Sequence, residues 1–85
     1  MSDGGTFTKG KYEIPEAMRE RLMKDFSYHP PKDDQVSRYE HIRGQAHWFA
    51  CVISGNTPPS REQSLALTAL EEAVMWANAA IARNE

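Results

Sequence analysis

The sequence holds a single cysteine, Cys51, so no disulfide can form within one copy of the chain. Eighty-five residues build only a small core, and domains this small often lean on a disulfide, a metal or a partner chain. A reduced, intracellular setting is the expectation for such a sequence. The opening residues MSDGGTFTKG have neither a basic region nor an apolar core, so they do not read as a signal peptide. No apolar run approaches the length of a membrane span. A cationic excess is missing too: ten Lys and Arg stand against twelve Asp and Glu, for a net charge of -2. That balance argues against long nucleic acids as partners, while leaving room for a local cationic pocket that takes a small anion.

What is present reads as helices. Residues 1–12 are rich in Gly, Ser, Thr and Lys and form a flexible arm by expectation, followed by one domain over 13–85. Pro15 stands where a helix begins, and PEAMRERLMKDF places Met18, Leu22 and either Met23 or Phe26 on one side of a short amphipathic helix. SYHPPK ends it, because adjacent prolines remove backbone donors. Asp33 or Asp34 caps the next helix, in which Tyr39, Ile42, Ala46, Phe49, Ala50 and Ile53 share a face. Gly44 lies inside that helix, and either an exposed site or the close approach of a second chain or ligand accounts for it.

SGNTPP closes the second helix, and Ser60 with Gln63 has the S-x-x-Q spacing of a capping box. From Arg61 to about Arg83 the chain is strongly helix-forming, with Leu67, Leu70, Val74, Ala77 and Ile81 spaced as a coiled-coil seam. The connection is short, so the expected fold is all-α: a short N-terminal helix and a long antiparallel helical hairpin. Leu65, Ala69, Ala73, Trp76 and Ala80 lie off the seam of the last helix, as do Trp48 and Val52 on the middle one. A hairpin buries only its facing stripes, and the short helix covers little more, so a homo-oligomer is expected.

Chemistry is sparse. His41 and His47 are six apart and diverge around a helix; His47 and Cys51 share a face but lack a third ligand, so no metal site is expected. Cys51 lies in the apolar stretch WFACVI, where a thiol is expected to be inert packing. Ser60 is better explained as a cap than as a nucleophile, and the adjacent Glu71 and Glu72 point apart. No catalytic residue and no cofactor are expected. The remaining polar residues suit binding. Tyr28, His29, Lys32, Arg38 and Arg43 gather around one loop and the start of the middle helix, where a ring stacks on a base and guanidiniums grip phosphates. Arg61 stands at a helix N-terminus, which favours anions, and Thr68 faces the same side two turns on. On spacing alone the plainer readings hold: Arg61 as a surface ion-pairing residue, Tyr28 as a lid over the hairpin end.

FSYHPP, QVSRYEHIR and, above all, PPSREQSLALTALEEAVMWANAAIAR resemble the hairpin domain of the phage anti-CBASS cyclic-nucleotide sponges, which the anti-Thoeris sponges share. The resemblance covers roughly residues 26–83, and its most specific part is SRE-x-SLA-x-T-x-LE-x-A-x-MWA. It implies a homohexamer in the cytoplasm of an infected bacterium that sequesters cyclic dinucleotides, cyclic trinucleotides or both without hydrolysing them. It further implies Tyr28 as the stacking ring for a cyclic dinucleotide and Arg43 as its phosphate partner, with Arg38 and Lys32 as secondary candidates. Arg61, with Thr68 beside it, matches the residue expected at separate cyclic-trinucleotide pockets on a three-fold axis. Neither DNA nor a membrane is an expected partner. The alternative is an oligomeric phage structural or regulatory hairpin without nucleotide affinity.

Overall fold

The computed structural model describes residues 10–85. The described residues form three helices and no strand: α1 (Glu16–Asp25), α2 (Gln35–Asn56) and α3 (Arg61–Asn84). The first nine residues of the expected N-terminal arm lie outside the described set. Pro15 is extended and precedes the first helical residue, Glu16, whose carboxylate sits at the positive end of α1. Asp33 adopts a positive φ of 53°, a conformation that aspartate tolerates better than most side chains, and this turns the chain out of the Pro30–Pro31 segment into α2. Asp34 precedes α2, but its carboxylate caps no backbone N–H. It accepts instead from Arg38 one turn on, at 3.1 Å, while the Gln35 N–H donates to the Lys32 carbonyl at 3.0 Å.

The turn between α2 and α3 is closed by side chains. Ser60 Oγ accepts from the Gln63 N–H at 3.1 Å, as the capping pattern requires. The Gln63 side chain does not return to the Ser60 backbone, as a full capping box would have it. Its amide donates across the turn to the Thr57 carbonyl and hydroxyl, both at 3.0 Å. Thr57 Oγ1 in turn donates to the Ile53 carbonyl at 2.7 Å, satisfying one of the orphan acceptors at the end of α2. One glutamine thus ties the start of α3 to the end of α2 and sets the antiparallel hairpin.

Along the hairpin the seam is as the spacing predicts. Tyr39, Ile42, Ala46, Ala50 and Ile53 of α2 are half-buried, as are Leu67, Leu70, Val74, Ala77 and Ile81 of α3. Phe49 departs from the expectation: it sits at the margin of the stripe and is exposed, whereas Val52 is half-buried. Among the described residues no apolar side chain is fully buried. Trp48 and Trp76 are 66% and 61% exposed, and Leu65 and Met75 are exposed as well. The short helix does not cover this surface. Lys24 Nζ donates to Asn84 Oδ1 at 3.3 Å and Arg83 reaches Asp25, so α1 is held by its C-terminal end, with Met18, Leu22 and Met23 exposed.

By length and composition alone, α3 is also long and apolar enough to cross a membrane. Its apolarity is alanine spread around the helix. Glu71 and Glu72 fall near its middle, where each ionised carboxylate in a bilayer costs about 2.5–3.5 kcal/mol.

Gln35, at 3% exposure the one buried residue among those described, anchors the other end of the hairpin. Its side-chain oxygen accepts from the Lys32 N–H at 3.0 Å and its amide donates to Glu85 at 3.1 Å. Arg38 grips the same carboxylate with both guanidinium arms. These donors, Arg38 before Gln35, lower the Glu85 pKa from 4.5 to about 2.

Replacing Ser60 by Ala is expected to cost about 1 kcal/mol, read as a fall in Tm of about 4–8 °C; an unchanged Tm would remove the cap from the account. A depressed carboxylate pKa stabilises the fold above the unfolded value and loses that contribution as acid protonates it. Tm should therefore fall between pH 4.5 and about 2, and Glu85→Gln should flatten the fall in that window.

Candidate functional site

At the open end of the hairpin, residues 25–31 fold back beside the first turns of α2 and the last turns of α3. They enclose a cleft of about 520 Å³. Tyr28 and His29 enter from this loop, Tyr39 and Arg43 from successive turns of α2, and Asn78 and Arg83 from α3. The spacing of four between Tyr39 and Arg43 puts them on one face of the helix, a ring below a guanidinium. Ala79 and Ala82 leave the α3 wall low, which is why an open cleft exists there.

Local bonds set the loop. Ser27 Oγ donates to the Met23 carbonyl and His29 Nε2 donates to the Lys24 carbonyl at 2.7 Å, so the residues on either side of Tyr28 are tied back to α1. Tyr28 itself is 83% exposed, its ring unspent on packing. Arg43 makes no ion pair among the described residues. A flat ring, two guanidiniums and an imidazole facing an open, half-apolar cleft suit an anion that also carries a planar base.

The other expected binding residues lie elsewhere. Lys32 lines a neighbouring cleft of about 410 Å³ with Lys24, His29, Gln35, Arg83 and Glu85, and its Nζ donates to the Glu85 carbonyl at 2.9 Å. Arg38 lines neither cleft: it is committed to Glu85 and Asp34, whose carboxylates raise its pKa above the ordinary arginine value. Arg61 and Thr68 are exposed near the hairpin turn, at the opposite end from Tyr28, and line none of the clefts described here. Tyr28 and Arg43 are therefore brought together, Lys32 and Arg38 sit beside them in a structural latch, and Arg61 with Thr68 stands apart.

The charged pair of the cleft has no precedent in the spacing argument. Asp25 and Arg83 are 58 positions apart, and only the fold brings the Arg83 guanidinium to the Asp25 carbonyl at 3.4 Å. A third cleft, of about 510 Å³, runs along one side of the seam between Ala46, Ala50, Leu67, Leu70 and Val74, with Arg43 and His47 at its edge. No cluster of three His, Cys, Asp or Glu side chains suited to a metal occurs among the described residues. Cys51, expected within packing, is exposed on the outer side of α2.

Curated proteins and solved structures give no match to the chain. A family description does: residues 18–82 match the Acb2/Tad1 hairpin domain, a span that takes in most of α1, the Tyr28 loop and nearly the whole hairpin. With more than half of the sequence covered, the chain belongs to the Acb2/Tad1 hairpin family, that of the anti-CBASS and anti-Thoeris sponges.

Proposed function

We propose that this protein is a phage anti-defence sponge acting in the cytoplasm of the infected bacterium, where it binds and sequesters cyclic dinucleotide immune signals, cyclic trinucleotide ones or both, without degrading them. The observation that carries the reading is the joint placement of the exposed Tyr28 ring and of the Arg43 guanidinium, unpaired among the described residues, in one cleft of a sponge-family hairpin. Stacking on Tyr28 holds a base, Arg43 takes a phosphodiester, and Lys32 and Arg38 keep the loop and the start of α2 in place. No group is needed to activate water or a nucleophile, because sequestration requires affinity and not turnover.

Assembly belongs to the same reading. The protomer leaves Trp48, Phe49, Leu65, Met75 and Trp76 exposed, and a homo-oligomer, a hexamer in this proposal, covers them. Gly44 supports close approach: a methyl group there would meet nothing within the protomer, so the protomer itself gives no reason for a mid-helix glycine. Closing the open cleft with a neighbouring copy would bury far more of a small ligand than one hairpin does. Around a three-fold axis, three copies of Arg61 would face the repeated phosphates of a cyclic trinucleotide.

Calorimetric titration with adenine-, guanine- and uracil-containing cyclic dinucleotides and with cyclic trinucleotides tests the reading. Tyr28→Ala and Arg43→Ala should each weaken dinucleotide binding by roughly 5- to 150-fold, the range of a lost stack or charged hydrogen bond. Arg61→Ala should spare the dinucleotides and weaken the trinucleotides. Absence of binding to every member would overturn the proposal and leave an oligomeric hairpin without nucleotide affinity. Separately, Trp76→Glu should reduce the particle mass measured by light scattering, since a charge cannot be buried unpaired in an interface; an unchanged mass would show that Trp76 is not part of one.

A further inference from the structure

We propose that Arg83 is a second phosphate-binding guanidinium of the Tyr28 cleft, held by Asp25 in the empty protein and passed to a ligand that carries two phosphodiesters. The inference rests on the cyclic-nucleotide reading above and deepens it, because it names what separates a two-phosphate ligand from a one-phosphate ligand at this site.

Two arginines near the same end of the hairpin have opposite fates. Arg38 is committed through both terminal nitrogens: one arm meets Glu85 at 2.8 Å, the other meets Asp34 at 3.1 Å and Glu85 again, while its Nε is buried without a hydrogen-bond partner. Arg83 is held loosely. Its Nε stands 3.8 Å from Asp25 Oδ1, beyond hydrogen-bond reach, and its one bond to α1 is a 3.4 Å contact from Nη2 to the Asp25 backbone carbonyl. The two side chains are 34% and 22% exposed, so water screens the pair. A phosphodiester offers that guanidinium shorter, charge-assisted and paired hydrogen bonds, and it displaces so weak a partner.

The position is right for that exchange. Arg43 and Arg83 line the same cleft from the two long helices, so an anion between α2 and α3 meets a guanidinium from each side. Two cations suit a cyclic dinucleotide, whose ring holds two phosphodiesters, with Tyr28 and Tyr39 in the same cleft for its bases. Nor does the handover strand Asp25. Its second oxygen, Oδ2, lies 3.6 Å from Arg21 Nε within α1, so the carboxylate keeps a cation when Arg83 turns away. In the empty cleft Asp25 acts as a competitor: it lowers affinity for any anion by the strength of its hold on Arg83.

The two members of the pair are therefore expected to act in opposite directions, which a merely structural tie would not do. The test titrates the full chain with the cyclic dinucleotide of the panel that it binds most tightly. A dinucleoside monophosphate, with the same bases and one phosphodiester, is the reference. Arg83→Ala should weaken the cyclic ligand by about tenfold or more and narrow its advantage over the reference. Asp25→Asn should tighten the cyclic ligand by about two- to fivefold. Equal weakening by both variants would mean that the pair only fastens α1, and would overturn the proposal. So would an Arg83→Ala protein that binds like the wild type while Arg43→Ala does not; that result would leave the sponge reading standing. If the wild type binds no cyclic nucleotide, the sponge reading falls first and this inference falls with it.

Discussion

The half-buried seam between α2 and α3 is the contact on which the other features of the chain depend. It fixes the two long helices side by side, and so brings Tyr39 and Arg43 of one next to Asn78 and Arg83 of the other. At one end it is locked by Gln63, which donates to Thr57 across the turn; at the other by Gln35 and Arg38, which hold Glu85. Both locks are polar and both sit at helix ends, where backbone groups would otherwise lack partners. The middle of the seam is apolar and carries alanine at Ala46, Ala50 and Ala77, which lets the helices lie close but buries little surface per residue.

The helices, their order and the seam are legible in the sequence because each rests on local spacing. The 3-4 repeat from Leu67 to Ile81 and the Ser60–Gln63 cap depend on neighbours within two turns, and the structure follows them. What spacing does not carry is where a polar side chain goes once its neighbours are known. Gln63 reads as half of a capping box and serves instead as a cross-turn tie. Arg38 reads as one more cation for a ligand and is taken up by Glu85, 47 positions away. Phe49 belongs to the apolar stripe by angle, yet it lies where α3 does not reach.

The Tyr28 cleft shows the same division. Tyr28 and Arg43 are suggested by residue type near a proline loop, and the fold puts them together. Asp25 and Arg83 carry no signal of their own: an arginine near the end of one helix suits the dipole and an aspartate at the end of another opposes it, and neither spacing nor residue type says that the two meet. Their meeting depends on the loop returning α1 to the open end of the hairpin, which the bonds from Ser27 and His29 to α1 bring about.

A protomer in which Gln35 is the only buried residue among those described has little to hold it folded while it is alone. If its neighbours supply the missing burial, then folding and assembly are one equilibrium, and the folded fraction rises with protein concentration. Under the proposed function, stoichiometric capture, this would couple two thresholds. Early in expression, when copies are scarce, chains would be open to proteolysis and few clefts would be complete. Past the assembly point, capacity would rise steeply, so that the onset of protection is set by dose and not by affinity alone.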